Sequence, residues 1–305
     1  MSLAPTGATP AAPTARPRLG FLGVGWIGRH RMQAILEAGA ARAAAIADPS
    51  PETAAEAGWL AAEARLVSTL DEILDLGVDG VVIATPSALH SEQAIRALER
   101  GVAVFCQKPL GRTEAEARAA VDAARRADRL LAVDLSYRFT EGMRRIREAV
   151  RSGALGRVYA VDLVFHNAYG PDKPWFYDPA LSGGGCVMDL GVHLVDLALW
   201  ALDFPGVADV SSRLFAGGEP LRDPRAQVED YAVATLDLDT RAAVRLACSW
   251  RLQAGCDAMI SASFYGTEGG AELRNLNGSF YDFAAERFRG TRRETLASPP
   301  DAWGG

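Results

Sequence analysis

The stretch RLGFLGVGWIGRHRMQAILEAG (residues 18–39) decides how the rest of the chain is read. A short apolar run leads into Gly23-Val24-Gly25-Trp26-Ile27-Gly28, and apolar residues at helical spacing continue to Gly39. This is a GxGxxG set between a strand and a helix. In that setting the first glycine allows the tight turn. The second lets backbone approach a pyrophosphate, and the third permits close helix–strand packing. The helix start adds free N–H groups and a positive dipole end for phosphates. Thirty glycines will make such a pattern by accident somewhere, so the context carries the reading. Asp48 follows at the end of the next strand, where a carboxylate can bind both adenosine ribose hydroxyls and repel a 2′-phosphate. Pro49 and Ser50 come next instead of an arginine, so NAD(H) is expected over NADP(H). The alternative for Asp48 is an ordinary turn residue before proline.

Outward from this loop the pattern alternates. Strands are expected at ARAAAIA, RLVS, GVVIAT, VAVFC and LLAVDL, with helices opening near Pro51, at Ser87 or Ser91, and at Thr113. Thr113 with Glu116 has the spacing of a capping box. Such alternation predicts a doubly wound parallel sheet, the Rossmann arrangement, over residues 18–137. After about residue 155 the texture changes to longer strands with period-two alternation, RVYAVDLVFHNA, YAVATLDLD, AAVRLACSW and MISASFYG, interrupted by one strong helix near 188–202. That predicts a second, α+β domain over 138–305 with a large, mostly antiparallel sheet. Residues 1–17, rich in Ala, Pro and Thr, are expected to be a flexible tail. The ending SPPDAWGG carries no closing element, as a truncated chain would show.

Composition narrows the function. Apolar residues make up 49% and charged residues 23% of 305, which is ordinary globular usage. The net charge of -6 argues against nucleic acid as the main partner. No run of eighteen apolar residues exists, so no membrane span is expected. Cys106, Cys186, Cys248 and Cys256 lack metal or disulfide spacing and read as reduced thiols of a cytoplasmic protein. Of 32 basic residues only Lys108 and Lys173 are lysine. Coding bias accounts for the arginines, yet an ammonium can lose its proton where a guanidinium cannot.

Three blocks carry a resemblance. ATPSALHSEQAIRALERGVAVFCQKPL (84–110), YRF (137–139) and GGGCVMDLGVHLVDLALW (183–200) stand in the order found in the Gfo/Idh/MocA oxidoreductases. With the glycine loop, the resemblance covers about residues 18–290. It implies a Rossmann domain followed by a sheet domain whose open face pairs subunits into a homodimer or homotetramer. It implies that Thr85, Pro86, His90, Gln107 and Arg138 lie near the cofactor, and that YRF is a linker strand. It also implies Lys108, Asp189 and His193 as the catalytic set. Tyr169 and Trp175 fall in the segment that resembles the family's variable, substrate-facing loop. The family's Glu-Lys-Pro stands here as Gln107-Lys108-Pro109, and the family's closing helix is not found before Gly305.

The residues suit that chemistry. An ammonium at a sheet's carboxyl edge can donate to a substrate oxygen and stabilise developing alkoxide charge. Asp189 and His193 are four apart, so in a regular helix the carboxylate would orient the imidazole and raise its basicity. No third ligand is spaced for a metal site. The expectation is an NAD(H)-dependent oxidoreductase acting on a secondary alcohol or ketone of a sugar or polyol. Two alternatives remain: a regulatory dinucleotide-binding protein of the same fold, and an NAD-using glycosidase that oxidises its sugar transiently.

Overall fold

The computed structural model describes residues 16–301, so most of the expected tail lies outside the described residues. Six parallel strands open the chain: β1 (Arg18–Leu22), β2 (Arg42–Ala47), β3 (Arg65–Val67), β4 (Gly80–Ile83), β5 (Ala103–Gln107) and β6 (Leu131–Asp134). They lie in the order β3-β2-β1-β4-β5-β6, reversing direction of travel between β1 and β4. That order is the dinucleotide-binding one, with its crevice at the carboxyl ends. Alternate residues feed two cores. Phe21, Ile46 and Val82 pack with Met32 on one face, and Leu22, Ala45 and Val81 with Leu98 on the other.

The intervening helices are α1 (Trp26–Glu37), α2 (Pro51–Gly58), α3 (Leu70–Asp75), α4 (Ser87–Glu99) and α5 (Glu114–Ala127). Thr113 caps α5, its hydroxyl accepting from the Glu116 N–H at 3.2 Å. The capping box is only half formed. The Glu116 carboxylate turns to the backbone N–H of Arg112, 2.7 Å away, and to its guanidinium.

YRF is not the linker strand implied by resemblance. It forms a 3-10 turn, Ser136–Phe139, because Thr140 immediately caps a helix, α6 (Glu141–Arg151), and leaves no length for strand pairing. No element was expected over α6, where arginines crowd a narrow stripe of Met143, Ile146 and Ala149.

The rest of the second unit is β7 (Val158–Asn167), a 3-10 turn (Pro174–Tyr177), α7 (Pro179–Ser182), a π turn (Val187–Gly191), α8 (Val192–Ala201), β8 (Val207–Ala216), β9 (Glu219–Pro220), β10 (Tyr231–Leu238), β11 (Ala243–Ser249), β12 (Ala258–Gly266), β13 (Gly270–Asn275), β14 (Phe283–Arg289) and β15 (Arg292–Ala297). The strands make one nine-stranded sheet, order β15-β14-β13-β12-β7-β11-β10-β8-β9, antiparallel except where β11 meets β7. One face, with Val161, Leu163, Phe165, Leu246 and Phe264, packs under α6 and α8. The other leaves Val233, Met259 and Tyr265 exposed.

The helical run Pro179–Ala201 is long and apolar enough to cross a membrane by length and composition, and half of it is buried inside this protein. It carries Asp189 and His193. Cys106, Cys186 and Cys248 are buried free thiols, and Cys256 is a half-buried one.

Candidate active site

The glycine loop shows a division of labour. Gly23 has φ +79°, and a Cβ there would fall 2.7 Å from the Ala84 backbone. A Cβ on Gly28 would fall 2.1 Å from the Gly23 carbonyl oxygen. Both therefore serve the packing of β1 against α1 and β4. A Cβ on Gly25 would meet nothing within 4 Å. This glycine borders open space at the start of α1, whose first turn has no side-chain cap. Backbone N–H groups left without a cap at a helix start are suited to phosphate.

The Asp48 carboxylate adjoins that loop, accepting from the Val24 N–H at 2.8 Å through Oδ2 and from the Ser50 N–H at 3.0 Å through Oδ1. It is thus both a turn residue and a wall of the loop. Each oxygen keeps accepting capacity for a ribose hydroxyl. Trp26 is exposed at the mouth, its ring tilted against His30 at 4.4 Å, and Ile27 is half-buried. These residues fit a dinucleotide: Gly23 to Gly28 would hold the pyrophosphate and Asp48 the adenosine ribose.

Further along the same sheet edge, Pro86 precedes α4, and the Thr85 hydroxyl donates to Gln93 at 2.6 Å. His90 is buried with one ring nitrogen 2.7 Å from the Pro109 carbonyl and the other 2.7 Å from the Thr85 carbonyl. It acts as a strut between the β4 and β5 ends. Burial keeps its pKa below the usual imidazole value.

Lys108 leaves the carboxyl end of β5 and crosses to the second domain. Its Nζ donates to the Asp189 carbonyl at 2.7 Å and to Asp189 Oδ1 at 2.8 Å. Asp189 Oδ2 accepts from the Trp250 indole N–H at 3.0 Å. Both carboxylate oxygens are therefore engaged away from His193. Here the structure corrects the expectation that Asp189 orients the imidazole. Residue 189 lies in a π turn and residue 193 in regular α-helix, so the four-residue spacing does not pair them.

His193 is half-buried, its ring edge-on to Tyr137 at 5.0 Å, and its buried Nδ1 has no hydrogen-bond partner among the described residues. Its pKa is held well below the ordinary value, first by burial and then by the Lys108 and Arg31 charges. The expected rise in basicity is overturned; the ring is kept neutral at pH 7. A neutral imidazole close enough to an ammonium to feel its charge can take a proton while that ammonium steadies the oxygen losing it.

The helix start behind Asp189 is fixed by buried Glu229. Its carboxylate accepts from the N–H groups of Gly185 at 3.0 Å and Val187 at 2.9 Å. The Gly185 backbone comes so close that a Cβ would fall 1.8 Å from the Glu229 carbonyl oxygen.

Arg138 is spent elsewhere. Its guanidinium pairs with Asp196 and lies over the Phe204 ring. Tyr169 is exposed, and Trp175 stacks on Phe176 at 3.8 Å. The loop reaches the site through Phe176 and Tyr177, whose rings stand edge-on to Trp250. A cavity of about 170 Å³, lined by Tyr177, Gln227, Asp230, Trp250 and Arg251, opens on that side. Neither Lys108 nor His193 lines it; Trp250 is the side chain it shares with Asp189.

The sequence reading missed Trp250, Glu229, Arg31 and Asp134. Asp134 had a signal, since it ends β6 at the carboxyl edge where ligands sit. The others gave none.

Comparison with known proteins agrees with this fold. Residues 18–135 match the model of an oxidoreductase family with an NAD-binding Rossmann fold, and residues 143–272 match the GFO/IDH/MocA C-terminal domain. The chain is 31% identical over 211 residues to D-glucoside 3-dehydrogenase of Escherichia coli, a match covering 66% of this chain and 60% of that protein. It is 30% identical over 260 residues to inositol 2-dehydrogenase of Acidiphilium cryptum, covering 84% and 73%. Among solved structures, the WlbA dehydrogenase of Bordetella pertussis in complex with NADH and UDP-GlcNAcA superposes with a TM-score of 0.80 at 25% identity, covering 92% of this chain and 79% of that one. The Rossmann model falls on the parallel sheet with its glycine loop and the C-terminal model on most of the antiparallel sheet, and the chain belongs to the Gfo/Idh/MocA family of NAD-binding oxidoreductases.

Proposed function

We propose that this protein is an NAD(H)-dependent dehydrogenase that oxidises a secondary alcohol of a sugar or polyol, or reduces the matching ketone. The observation that carries this is Lys108 meeting Asp189 across the domain boundary, with half-buried His193 near enough to feel the Lys108 charge. The names of the relatives, a glucoside and an inositol dehydrogenase, support the substrate class.

Bound NAD supplies the hydride acceptor or donor. The chain's own residues handle the proton and the oxygen. An ammonium has three N–H donors, and Asp189 takes two of them. The third is available to the substrate oxygen, where it favours the negative charge that builds as the hydroxyl proton leaves. His193, neutral at pH 7, receives that proton in oxidation and returns it in reduction. Asp189, braced by Trp250, keeps Lys108 in place.

The test is a screen of polyols, inositols, aldoses and alkyl glycosides with NAD⁺ and with NADP⁺, followed at the nicotinamide absorbance. Turnover with NAD⁺ preferred is expected, and Asp48→Ser should narrow the preference, because the carboxylate that repels a 2′-phosphate is gone. Dinucleotide binding without turnover on any substrate would move the reading to a regulatory protein. Release of an aglycone without net NADH would move it to a glycosidase.

Pairing of subunits through the open face of the nine-stranded sheet is part of the same reading, supported by exposed Val233, Met259 and Tyr265. Light scattering should give a dimer or tetramer, and Val233→Arg with Met259→Arg should shift it towards monomer. A wild-type monomer would sink this.

A further inference from the structure

The last rung of the first sheet pairs Gln107 of β5 with Asp134 of β6. Their side chains continue the pairing: the Gln107 amide N–H donates to Asp134 Oδ2. The same oxygen accepts from Arg31 Nε at 2.5 Å. Arg31 comes from α1, the helix that follows the glycine loop, and all three side chains are buried. Gln107 is also the residue before Lys108. A continuous chain of contacts therefore runs from the dinucleotide loop, across the sheet edge, to the lysine that meets Asp189.

We infer that Arg31, Asp134 and Gln107 form a positioning unit for Lys108, one that works only while one of residues 107 and 134 is an acid and the other an amide. With glutamate at 107, two buried carboxylates would face each other in hydrogen-bond contact, and like charges there cannot both persist. With asparagine at 134, the guanidinium of Arg31 would lose its buried counter-charge, the costly way to break such a pair. In either case the end of β5 shifts to relieve the conflict, and Lys108 moves with it. The neutral residue before the lysine is thus matched to an acid across the strand pair. Gln107 and Asp134 act through Lys108 and need not touch substrate.

The test uses isosteric changes, so packing volume is held constant: Gln107→Glu, Asp134→Asn and the double variant. The chain's two lysines make the readout direct. Acetic anhydride labels amines, and mass spectrometry gives the ratio of modified Lys108 to exposed Lys173 in cofactor-free protein. This needs neither substrate nor turnover, so it stands or falls apart from the dehydrogenase reading on which the role of Lys108 rests. Each single variant should raise the ratio several-fold, and the double should return it to the wild-type value. On a turned-over substrate, kcat should drop in each single variant by up to about a hundredfold, the scale of a small misplacement at a reacting centre. It should recover in the double. Folded single variants that label like wild type overturn the proposal, as does a folded double that labels like the singles. If a single variant fails to fold, the double decides: wild-type labelling supports the unit, and an unfolded double overturns it.

Discussion

Lys108→Arg is expected to lower kcat by about 10²–10³-fold, the usual cost of losing one oriented donor to developing charge. Lys108→Ala should do the same, and NADH affinity, read by fluorescence, should change little in either. This protein uses arginine for nearly every other cation, so a site needing only positive charge would accept it. The geometry says otherwise. Nζ is a single point bonded to both the carbonyl and the carboxylate of Asp189 within 2.8 Å. A planar guanidinium is wider and its donors are fixed in a fork. It can satisfy Asp189 or reach the substrate oxygen, but not from the same position. Near-normal kcat in Lys108→Arg would remove the lysine from its assigned role.

His193→Gln should cost about 10²–10⁴-fold in turnover, the range of a positioned general base. Its pH behaviour is the sharper check. Burial and the neighbouring Lys108 and Arg31 charges hold the His193 pKa well below 6.5. The base form therefore persists below neutrality, and the acidic limb of kcat/KM for oxidation should lie under pH 6.5 and vanish in His193→Gln. Linkage gives a second consequence. A histidine whose folded pKa is depressed lends its stability above the unfolded value and loses it as pH falls. Thermal stability should drop on acidification below pH 6.5, and less steeply in the variant. An acidic limb at or above the ordinary imidazole value would contradict this electrostatic account.

Much of the architecture was legible in the sequence because it rests on short-range signals. The strand–glycine–helix unit, the Thr113 cap and the shift from alternating α/β to long period-two strands all survive in the structure. Two failures have physical causes. Helix α6 was missed because Arg144, Arg145, Arg147 and Arg151 mask a stripe of Met143, Ile146 and Ala149, and only burial against the large sheet reveals it. The Asp189–His193 pairing was misread because spacing presumes a regular helix, and a π turn intervenes. Contacts across the domain boundary, such as Lys108 with Asp189, and contacts across a sheet edge, such as Gln107 with Asp134, have no sequence signature of their own. Resemblance supplied Lys108 and Asp189 as members of one catalytic set but not their contact; nothing supplied the second pair.

The three loop glycines answer to different constraints. Alanine at 23 or 28 would be removed by selection for folding alone, whatever the protein does, since the new methyl would overlap backbone. Alanine at 25 would overlap no atom of the protein. In a lineage that had stopped binding dinucleotide, position 25 would be the one of the three free to drift. The room at position 25 is what the close approach of a pyrophosphate to the backbone requires, so Gly25→Ala should weaken NADH binding, read by fluorescence, while leaving thermal stability nearly unchanged.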